Sequence, residues 1–570
     1  MRPARLLLAT TTLFACISAP IARAQYAEAA DTIYLGTILT MNDKLPNAEA
    51  VAVKAGRILA VGPRDTVTDR HKGGNTRVID LQDKTLLPGF IDGHSHYFSA
   101  LSVANQVNVY PPPAGPGKDA ASIVAEIVKF RDARKIPEGE IIQAYGYDDT
   151  VMAKGELLNR GHLDAAFPKN PVMVNHVSMH GAVLNSAALK KYGITAETKT
   201  PPGGVIVRKD GSQEPWGLIM ETAYLPVFAA LPKPTPQQEI EFTRAAQLLY
   251  ASNGITTAQE GSTRAGDLAV MQRAANAGAN IIDVVSYPFI TDLDEVLKTN
   301  PVATFGAYKN RLKIGGVKIT TDGSPQGRTA FFTKPYLTGG PSGEKDWRGE
   351  PTFPEEAAKQ MIKKVYDLRV PLIIHANGDA AIDLVLRGHE FAAGNDPTRD
   401  RNTTVIHSQF VRKDQLDKYA KYKIRPSFYT LHTYYFADAH IANRGKDQAQ
   451  FISPMKAALA RGIAPTNHTD FVVVPLDQMF MLWSAANRVS RGGEVIGADQ
   501  RATPLEGLKA MTINGARQYG EDATKGSIEP GKLADFVILD KNPLKVKPME
   551  IKDIKIVETI KEGATIWPAK

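Results

Sequence analysis

The sequence predicts an α/β protein whose main body is a parallel α/β barrel. Short apolar runs alternate with longer helical patterns through most of the chain, which is typical of a parallel sheet. The length of 570 residues, 43% of them hydrophobic, permits one large core and favours a barrel. Polar residues follow several of the apolar runs, where a parallel barrel carries its functional site. A doubly wound open sheet is the alternative, but no Gly-x-Gly-x-x-Gly follows a strand to favour it.

Residues 1–24 have the features of a secretory signal peptide. Two arginines precede an apolar stretch from residue 6 to 21, and Ala22-Arg23-Ala24 suits cleavage. The apolar stretch is too short and interrupted to favour a membrane anchor. The only cysteine, Cys16, lies in this leader, so the mature chain would form no disulfide. We expect a bacterial periplasmic or secreted protein, with lipidation at Cys16 as the alternative.

The distribution of basic residues argues against nucleic acid as a partner. The formal net charge is +8, and three of these charges belong to arginines of the leader. The remaining basic residues are spread along the chain, with no dense Lys/Arg run interleaved with aromatic residues. Nucleic-acid binding is therefore not expected.

The chain divides into three expected parts after the leader. Residues 25–85 and 524–570 contain short strand-like runs between turn residues, so the two ends are expected to build one β domain. Residues 86–523 contain the alternating pattern of the barrel. A stretch from about residue 111 to 221, bounded by Pro and Gly clusters, interrupts that pattern and is expected to be an insertion after the first barrel strand.

His94 and His96 stand two residues apart at the end of an apolar run. Alternate side chains of an extended strand point the same way, so both imidazoles could bind one metal ion. Ordinary histidines at a strand end are the alternative interpretation. The pair alone does not decide between them.

Four further candidates follow later strand-like runs: Lys318, His375, His407 and Asp470. A buried ammonium is costly without a partner, and two divalent cations would repel it. A carbamate formed from the Lys318 amine and carbon dioxide would instead be an anion able to bridge two metals. Asp470 could act as a ligand and as a base. A helix cap is its alternative role, and His468 competes as the ligand.

The order of these motifs resembles the amidohydrolase superfamily, specifically its YtcJ-like branch, which contains N-substituted formamide deformylase-like proteins. The matching segments cover nearly all of the mature chain: 87–96, 146–149, 180–189, 217–221, 254–257, 317–324, 375–379 and 526–535. Two positions depart from the family pattern. Ile406 replaces a common Glu before His407, and His468-Thr469 replaces a usual Gly-Ser before Asp470.

The resemblance implies a (β/α)8 TIM-type barrel with a β-sandwich built from both chain ends. It also implies two Zn²⁺ ions held by six residues: His94, His96, Lys318, His375, His407 and Asp470. His94, His96 and Asp470 would hold one ion, His375 and His407 the other, and a carboxylated Lys318 would bridge them. A hydroxide between the ions would attack a carbonyl, with Asp470 accepting its proton.

The resemblance further suggests residues that contact the substrate. His180 matches a position near the substrate, where it would polarise an oxyanion or bind substrate. His432 and Tyr429 could face the same mouth as substrate-binding residues. Loop packing and surface hydrogen bonds are the alternatives for His432 and Tyr429.

The expected function is that of a metal-dependent hydrolase that cleaves the carbon–nitrogen bond of an amide, N-acyl or N-formyl compound. Hydrolysis of a cyclic amide or an ester is one alternative, and a non-catalytic secreted ligand-binding protein is another. A serine hydrolase is disfavoured because no Gly-x-Ser-x-Gly elbow is present. The expected partner is a small-molecule amide, and the oligomeric state is open, a homodimer included.

Overall fold

The computed structural model describes residues 28–149, 152, 157–177, 180–341 and 344–569. The predicted signal peptide, residues 1–24, lies outside this described part. Among the helices described, none is long and apolar enough to span a membrane.

The strands are, in chain order, β1 (Thr32–Leu39), β2 (Asn47–Lys54), β3 (Arg57–Gly62), β4 (Arg77–Pro88), β5 (Phe90–Ile91), β6 (Val107–Asn108), β7 (Ile142–Tyr147), β8 (Val172–His176), β9 (Gly181–Leu184), β10 (Gly204–Arg208), β11 (Pro215–Glu221), β12 (Ile255–Thr263), β13 (Asp283–Pro288), β14 (Leu312–Ile314), β15 (Val317–Thr320), β16 (Leu372–Ala376), β17 (Thr403–His407), β18 (Arg425–Phe428), β19 (Thr466–Asn467), β20 (Phe536–Leu539), β21 (Ile556–Lys561) and β22 (Ala564–Trp567). The α-helices are α1 (Arg64–His71), α2 (Tyr97–Val103), α3 (Ala120–Arg134), α4 (Arg160–Asp164), α5 (Ser186–Lys191), α6 (Leu225–Ala229), α7 (Pro236–Ala251), α8 (Ala265–Asn276), α9 (Leu293–Thr299), α10 (Glu355–Asp367), α11 (Asp379–Ala393), α12 (Lys413–Tyr422), α13 (His432–Tyr435), α14 (Ala437–Arg444), α15 (Lys446–Ala449), α16 (Met455–Leu459), α17 (Gln478–Asn487), α18 (Pro504–Ala510) and α19 (Ile513–Gln518).

Two parallel sheets form the centre of the fold, in the orders β14-β13-β12-β5 and β15-β16-β17-β18-β19. Every pairing within them is parallel. Their strands are short and mostly buried. Parallel strands are joined by crossover helices that cover the faces of the sheet, so burial is expected. The predicted α/β class is confirmed.

The two parallel sheets are linked at both sides. Phe289, just after β13, forms a parallel bridge with Lys318 of β15. On the other side the Asp470 N–H donates to the His94 carbonyl at 3.0 Å. The described strands nevertheless remain two hydrogen-bonded sheets, so a closed eight-stranded barrel stays a prediction.

Strands from both ends of the chain share a third sheet of seven strands, ordered β22-β21-β20-β4-β1-β2-β3. In its middle, β4 pairs antiparallel with β20 and parallel with β1. The expected joining of the two chain ends therefore occurs within one sheet. The two-layered β-sandwich stays a prediction.

The predicted insertion contains a sheet of its own, with the order β10-β11-β9-β8-β7-β6. It runs from Val107 to Glu221, close to the expected stretch of residues 111 to 221. Apolar side chains of α3, α4 and β7 pack beneath it as a separate cluster.

A buried ionic cluster joins a central strand to the end of the chain. Asp283, the first residue of β13, has its Oδ2 2.6 Å from Lys525 Nζ and 2.7 Å from Lys561 Nζ. Lys561, the last residue of β21, also lies 2.7 Å from Asp535 Oδ2. Burial alone would raise the pKa of Asp283, but the two ammonium groups lower it well below its usual value. The cluster fastens the seven-stranded sheet to the central strands.

The strand that precedes the two first candidate ligands is shorter than its sequence pattern indicates. β5 ends at Ile91, and the Asp92 N–H still donates to the Thr257 carbonyl at 3.0 Å. His94 and His96 therefore lie in the loop after the strand, with ring planes at 69° to each other. Strand alternation therefore does not set their direction, although the two Nε2 atoms converge on Asp470 Oδ1, each at 3.6 Å. The loop, and not the pleat of a strand, sets their geometry.

Candidate metal centre

The six candidate ligands come together at the ends of the central strands. His94 and His96 follow β5, Lys318 lies in β15, His375 in β16, His407 at the end of β17, and Asp470 follows β19. Because parallel strands present their carboxyl ends at one edge, residues far apart in sequence meet there. The side chains of His94, Lys318, His407 and Asp470 are all buried.

Asp470 lies at the centre of the group. Its Oδ1 is 3.6 Å from His94 Nε2 and 3.6 Å from His96 Nε2. The ligand atoms of His94, His407 and Asp470 lie within 4.8 Å of one another. Among the described residues, Asp470 Oδ1 is buried without a hydrogen-bond partner. An orphaned buried carboxylate oxygen beside two imidazoles is a donor set that fits a divalent cation.

Lys318 and His375 extend this group on two sides. Lys318 Nζ lies 3.4 Å from His94 Nε2. Burial lowers the pKa of Lys318 to about 8, although the charges of Asp470 and Glu260 oppose the shift. The rings of His375 and His407 are 4.6 Å apart between centroids. His375 Nε2 faces Gly323 O and Asp322 Oδ1, each at 3.4 Å, which leaves Nδ1 on the side away from them.

The charges around Asp470 determine its protonation state. Burial alone would raise the pKa of Asp470, but His96, His468 and Lys318 lower it below the usual value. Burial alone would lower the pKa of His96, but its interaction with Asp470 and the charge of Glu260 raise it. Asp470 is therefore an anion at neutral pH and attracts positive charge.

Two residues of the group have strained backbones. The φ angle of His407 is 70° and that of Asp470 is 52°, in the left-handed region that non-glycine residues seldom occupy. Such conformations cost on the order of 1 to 3 kcal/mol each and concentrate at functional sites. The strain at two candidate ligands supports a functional role for this part of the fold.

Gln259 fixes the protonation of His94. Its side-chain Nε2 donates to the Gly93 carbonyl at 2.9 Å and to Tyr519 Oη at 3.0 Å, so Oε1 faces His94 Nδ1 at 2.6 Å. A reversed amide would set its oxygen against the Gly93 carbonyl oxygen. His94 must therefore donate through Nδ1–H, which leaves the Nε2 lone pair toward Asp470.

Gly261, on the same strand as Gln259, gives His94 the space that it occupies. A Cβ atom at position 261 would overlap His94 Cε1 and Nδ1. The Gly261 N–H also donates to the Ser95 carbonyl at 2.9 Å. Close approach of the backbone to the imidazole is therefore the reason for glycine here.

His468, which the sequence interpretation treated as a competitor of Asp470, has both ring nitrogens engaged. Its Nε2 is 3.2 Å from His407 Nδ1 and its Nδ1 is 2.9 Å from Ser427 Oγ. Burial lowers the pKa of His468 to about 3, which keeps the ring neutral. The ring stacks on Tyr429 at 5.4 Å and 10°.

The three predicted substrate residues lie in two different places. Tyr429 and His432 are buried, with ring centroids 6.2 and 5.7 Å from that of His407. Among the described residues, Tyr429 Oη and His432 Nδ1 are buried without hydrogen-bond partners. His180 lies instead before β9 of the insertion, with 63% of its side chain exposed and Nδ1 3.2 Å from Glu221 Oε2. Its role stays a prediction.

Sequence interpretation missed several buried acidic residues around the site. Asp92 accepts hydrogen bonds from the backbone and hydroxyl of Thr469, and burial raises its pKa to about 7. Glu260 accepts from the Phe98 N–H at 2.6 Å beside His96. Asp92 directly precedes Gly93 and His94 in the first motif, and this position could have identified it as a residue of the site. Glu260 follows a strand-like run without any comparable motif.

Comparisons with known proteins identify a matching family model, relatives over most of the chain and a solved structure of similar fold. The model of the amidohydrolase family matches residues 77–567. The chain is 26% identical to the putative amidohydrolase YtcJ of Bacillus subtilis, over 93% of this chain and 98% of the relative. It is 25% identical to N-substituted formamide deformylase of Arthrobacter pascens, over 92% of this chain and 96% of the relative. An uncharacterized metal-dependent hydrolase from Pyrococcus horikoshii has a similar fold, with a TM-score of 0.69, 24% identity, and coverage of 91% of this chain and 99% of that chain.

Proposed function

The chain belongs to the amidohydrolase family, and we propose that it is a metal-dependent hydrolase of carbon–nitrogen bonds in amides. The observation that carries this proposal is the buried Asp470 Oδ1, which faces two imidazoles and has no hydrogen-bond partner among the described residues. A base in this position and a cation-binding donor set are what metal-dependent amide hydrolysis uses.

We propose that His94, His96 and Asp470 hold one divalent cation and that His375 and His407 hold a second. Imidazole and carboxylate ligands suit zinc. Bound cations would lower the pKa of water and polarise the substrate oxygen. A single bound cation is the alternative, since the donor group with atoms within 4.8 Å contains only His94, His407 and Asp470.

Lys318 is proposed to bridge the two cations as a carbamate. The lowered pKa of about 8 leaves part of the amine uncharged near neutral pH. The neutral amine can attack carbon dioxide, forming a nitrogen–carbon bond and releasing one proton. The product replaces a buried cation next to His94 by an anion, which suits the neighbouring imidazoles.

Asp470 is proposed to hold the proton that the reaction releases. Its lowered pKa keeps Oδ1 unprotonated in the resting protein, so the carboxylate can accept a proton. His94, with its Nδ1–H directed at Gln259, would use its Nε2 lone pair for the cation and so would not compete for that role. Proton transfer to a positioned base contributes roughly 10²- to 10⁴-fold to rate.

The proposed substrate is a small N-acyl or N-formyl amide. N-substituted formamide deformylase, which this chain resembles along almost its full length, supports that class. Tyr429 Oη and His432 Nδ1 would bind polar atoms of the substrate, and His180 would approach it from the insertion. A cyclic amide or an ester is the alternative substrate, because the same donor set suits both.

The finer parts of the fold and location are also proposals. The links at Lys318 and Asp470 favour closure of the two parallel sheets into a (β/α)8 barrel, with the seven-stranded sheet as part of a β-sandwich. A signal peptide at residues 1–24, removed by cleavage after residue 24, would direct the protein to the periplasm or outside the cell.

Metal analysis combined with a substrate screen tests the function. Purified protein should contain about one or two zinc ions per chain and should hydrolyse N-formyl or N-acyl amides, with activity lost to a chelator and restored by zinc. Cyclic amides and esters in the same screen test the alternative substrates. Full activity in metal-free protein would overturn the proposal, and metal binding without turnover of any compound would favour a ligand-binding protein.

A further inference from the structure

Both ring nitrogens of His468 have side-chain partners within 3.2 Å. Ser427 Oγ lies 2.9 Å from Nδ1, and His407 Nδ1 lies 3.2 Å from Nε2. The side chain of His468 is fully buried, and its ring is stacked on Tyr429. The ring therefore presents no further nitrogen to a metal ion unless it turns and loses both partners.

The pair of facing nitrogens shares a single proton. If His407 carries it on Nδ1, His407 donates to His468 Nε2, and His407 Nε2 keeps a free lone pair. If His468 carries it on Nε2, His407 Nδ1 accepts, and the proton of neutral His407 must then be on Nε2. Only the first arrangement allows His407 Nε2 to bind a metal.

We infer that Ser427 and His468 are positioning residues that fix His407 in its metal-binding tautomer, with Nε2 as the ligand atom. In this chain of hydrogen bonds, His407 Nδ1–H donates to His468 Nε2, and His468 Nδ1–H donates to Ser427 Oγ. The inference rests on the proposed metal-dependent function, because it assigns a role toward the metal. It also makes His468 a support of the site and not a competitor of Asp470.

Ser427 is held in place by its surroundings. It lies in β18 beside the loop of the first ligands, where a Cβ atom at Gly93 would come within 3.0 Å of Ser427 Oγ and of Thr466 Oγ1. Thr466 Oγ1 in turn donates to Gln518 Oε1 at 2.7 Å. Ser427, the last residue in this chain of hydrogen bonds, is therefore packed against the backbone that carries His94.

Three variants separate positioning from direct metal binding. His468→Gln offers an oxygen that can accept a hydrogen bond from His407 and an amide nitrogen that can donate one to Ser427, so it keeps the direction of both hydrogen bonds. His468→Phe keeps a ring but removes both hydrogen bonds, and Ser427→Ala removes only the outer acceptor. His389→Phe is the matched control, because His389 is another buried histidine, on α11, stacked on Tyr422.

The measurement is zinc affinity, by competition with a coloured chelator, on the full chain stripped of metal. We expect His468→Phe to bind zinc roughly 10- to 100-fold more weakly than the natural protein, which is the usual cost of losing an outer partner of a ligand. Ser427→Ala should show a smaller loss, His468→Gln should stay closer to the natural protein than to His468→Phe, and the His389 control should be unchanged.

Other results would overturn the inference. Unchanged affinity in His468→Phe would remove the positioning role, and unchanged affinity in Ser427→Ala would remove that of Ser427. Equal losses in His468→Gln and His468→Phe would show that the two hydrogen bonds do not decide zinc affinity. If the natural protein binds no zinc, the proposed function itself fails, and that outcome is distinct from all of these.

A crystal structure of the zinc-loaded natural protein gives a readout that needs no variant to fold. The anomalous signal of zinc should lie on His407 Nε2, with His468 still between His407 and Ser427. Zinc on His407 Nδ1, or on either nitrogen of His468, would overturn the inference.

Discussion

Gln259 Oε1 lies 2.6 Å from His94 Nδ1, although the two residues are 165 positions apart in the chain. The amide of Gln259 is itself oriented by the Gly93 carbonyl and Tyr519. A glutamine on β12 therefore decides which nitrogen of His94 faces the metal group. This relationship gives the first of four predictions.

Replacing Gln259 by Leu should weaken metal binding, because His94 would lose the acceptor that fixes its tautomer. The expected loss of zinc affinity is about 10- to 100-fold. Gln259→Glu keeps the oxygen acceptor and should lose less. Chelator competition on both variants checks this, and equal affinity in Gln259→Leu and the natural protein would contradict it.

Gly261→Ala should displace the His94 imidazole, since the new methyl group would overlap Cε1 and Nδ1 of that ring. Zinc content and amidase activity should both fall strongly. The matched control is Gly266→Ala, at the start of α8, where a Cβ meets nothing within 4 Å. If both variants retain zinc equally, the close packing of Gly261 against His94 does not matter for the site.

Asp470→Asn should reduce kcat by at least about 100-fold, because an amide cannot accept the proton. Asparagine tolerates the φ angle of 52° at this position, so the backbone should keep its conformation. Metal content of the same sample separates loss of the base from loss of a ligand. Asp438→Asn, on α14, should leave kcat unchanged, and a natural kcat in Asp470→Asn would exclude the proposed base.

Asp283→Asn should lower the free energy of unfolding by about 3 kcal/mol, near the lower end for breaking a buried ion pair. The expected decrease in the free energy of unfolding is at the lower end because, after the substitution, Lys561 still pairs with Asp535 and Lys525 still pairs with Glu521. Urea unfolding of the natural and variant proteins measures the difference.

The pH dependence of that difference has a defined sign. Because the folded-state pKa of Asp283 is lowered, its stabilisation is complete above the unfolded-state pKa of about 4. It is lost as the pH falls through the lower folded-state value. The stability gap between natural protein and Asp283→Asn should therefore be constant near neutrality and shrink below about pH 4. A gap that instead widens in acid would contradict the assignment.

The sequence allowed prediction of the features that are local or repeated. The apolar runs that form β12, β13, β15, β16 and β17 are recognisable from composition. Four polar residues are predicted as site residues because they lie within or after such runs: Lys318, His375, His407 and Asp470. β5 was misjudged because its end depends on hydrogen bonds from the neighbouring β12, not on its own residues.

The residues that the sequence could not reveal act across the fold. Gln259 resembles any polar residue of a strand until His94 is beside it, and the place of His468 depends on Ser427 from a different strand. The pairing of Asp283 with Lys561 joins positions 278 residues apart, so no local pattern records it. Supporting contacts of this kind are set by tertiary structure.

The ionic cluster at Asp283 has a consequence for the order in which the chain matures. Lys561 is supplied by β21, and Lys525 lies 242 positions after Asp283 in the sequence. Until Lys525 and Lys561 have been synthesised, the buried carboxylate of Asp283 on β13 has neither lysine as an ionic partner. The central strands therefore gain the full stability of this cluster only when the segments that carry Lys525 and Lys561 have packed against β13.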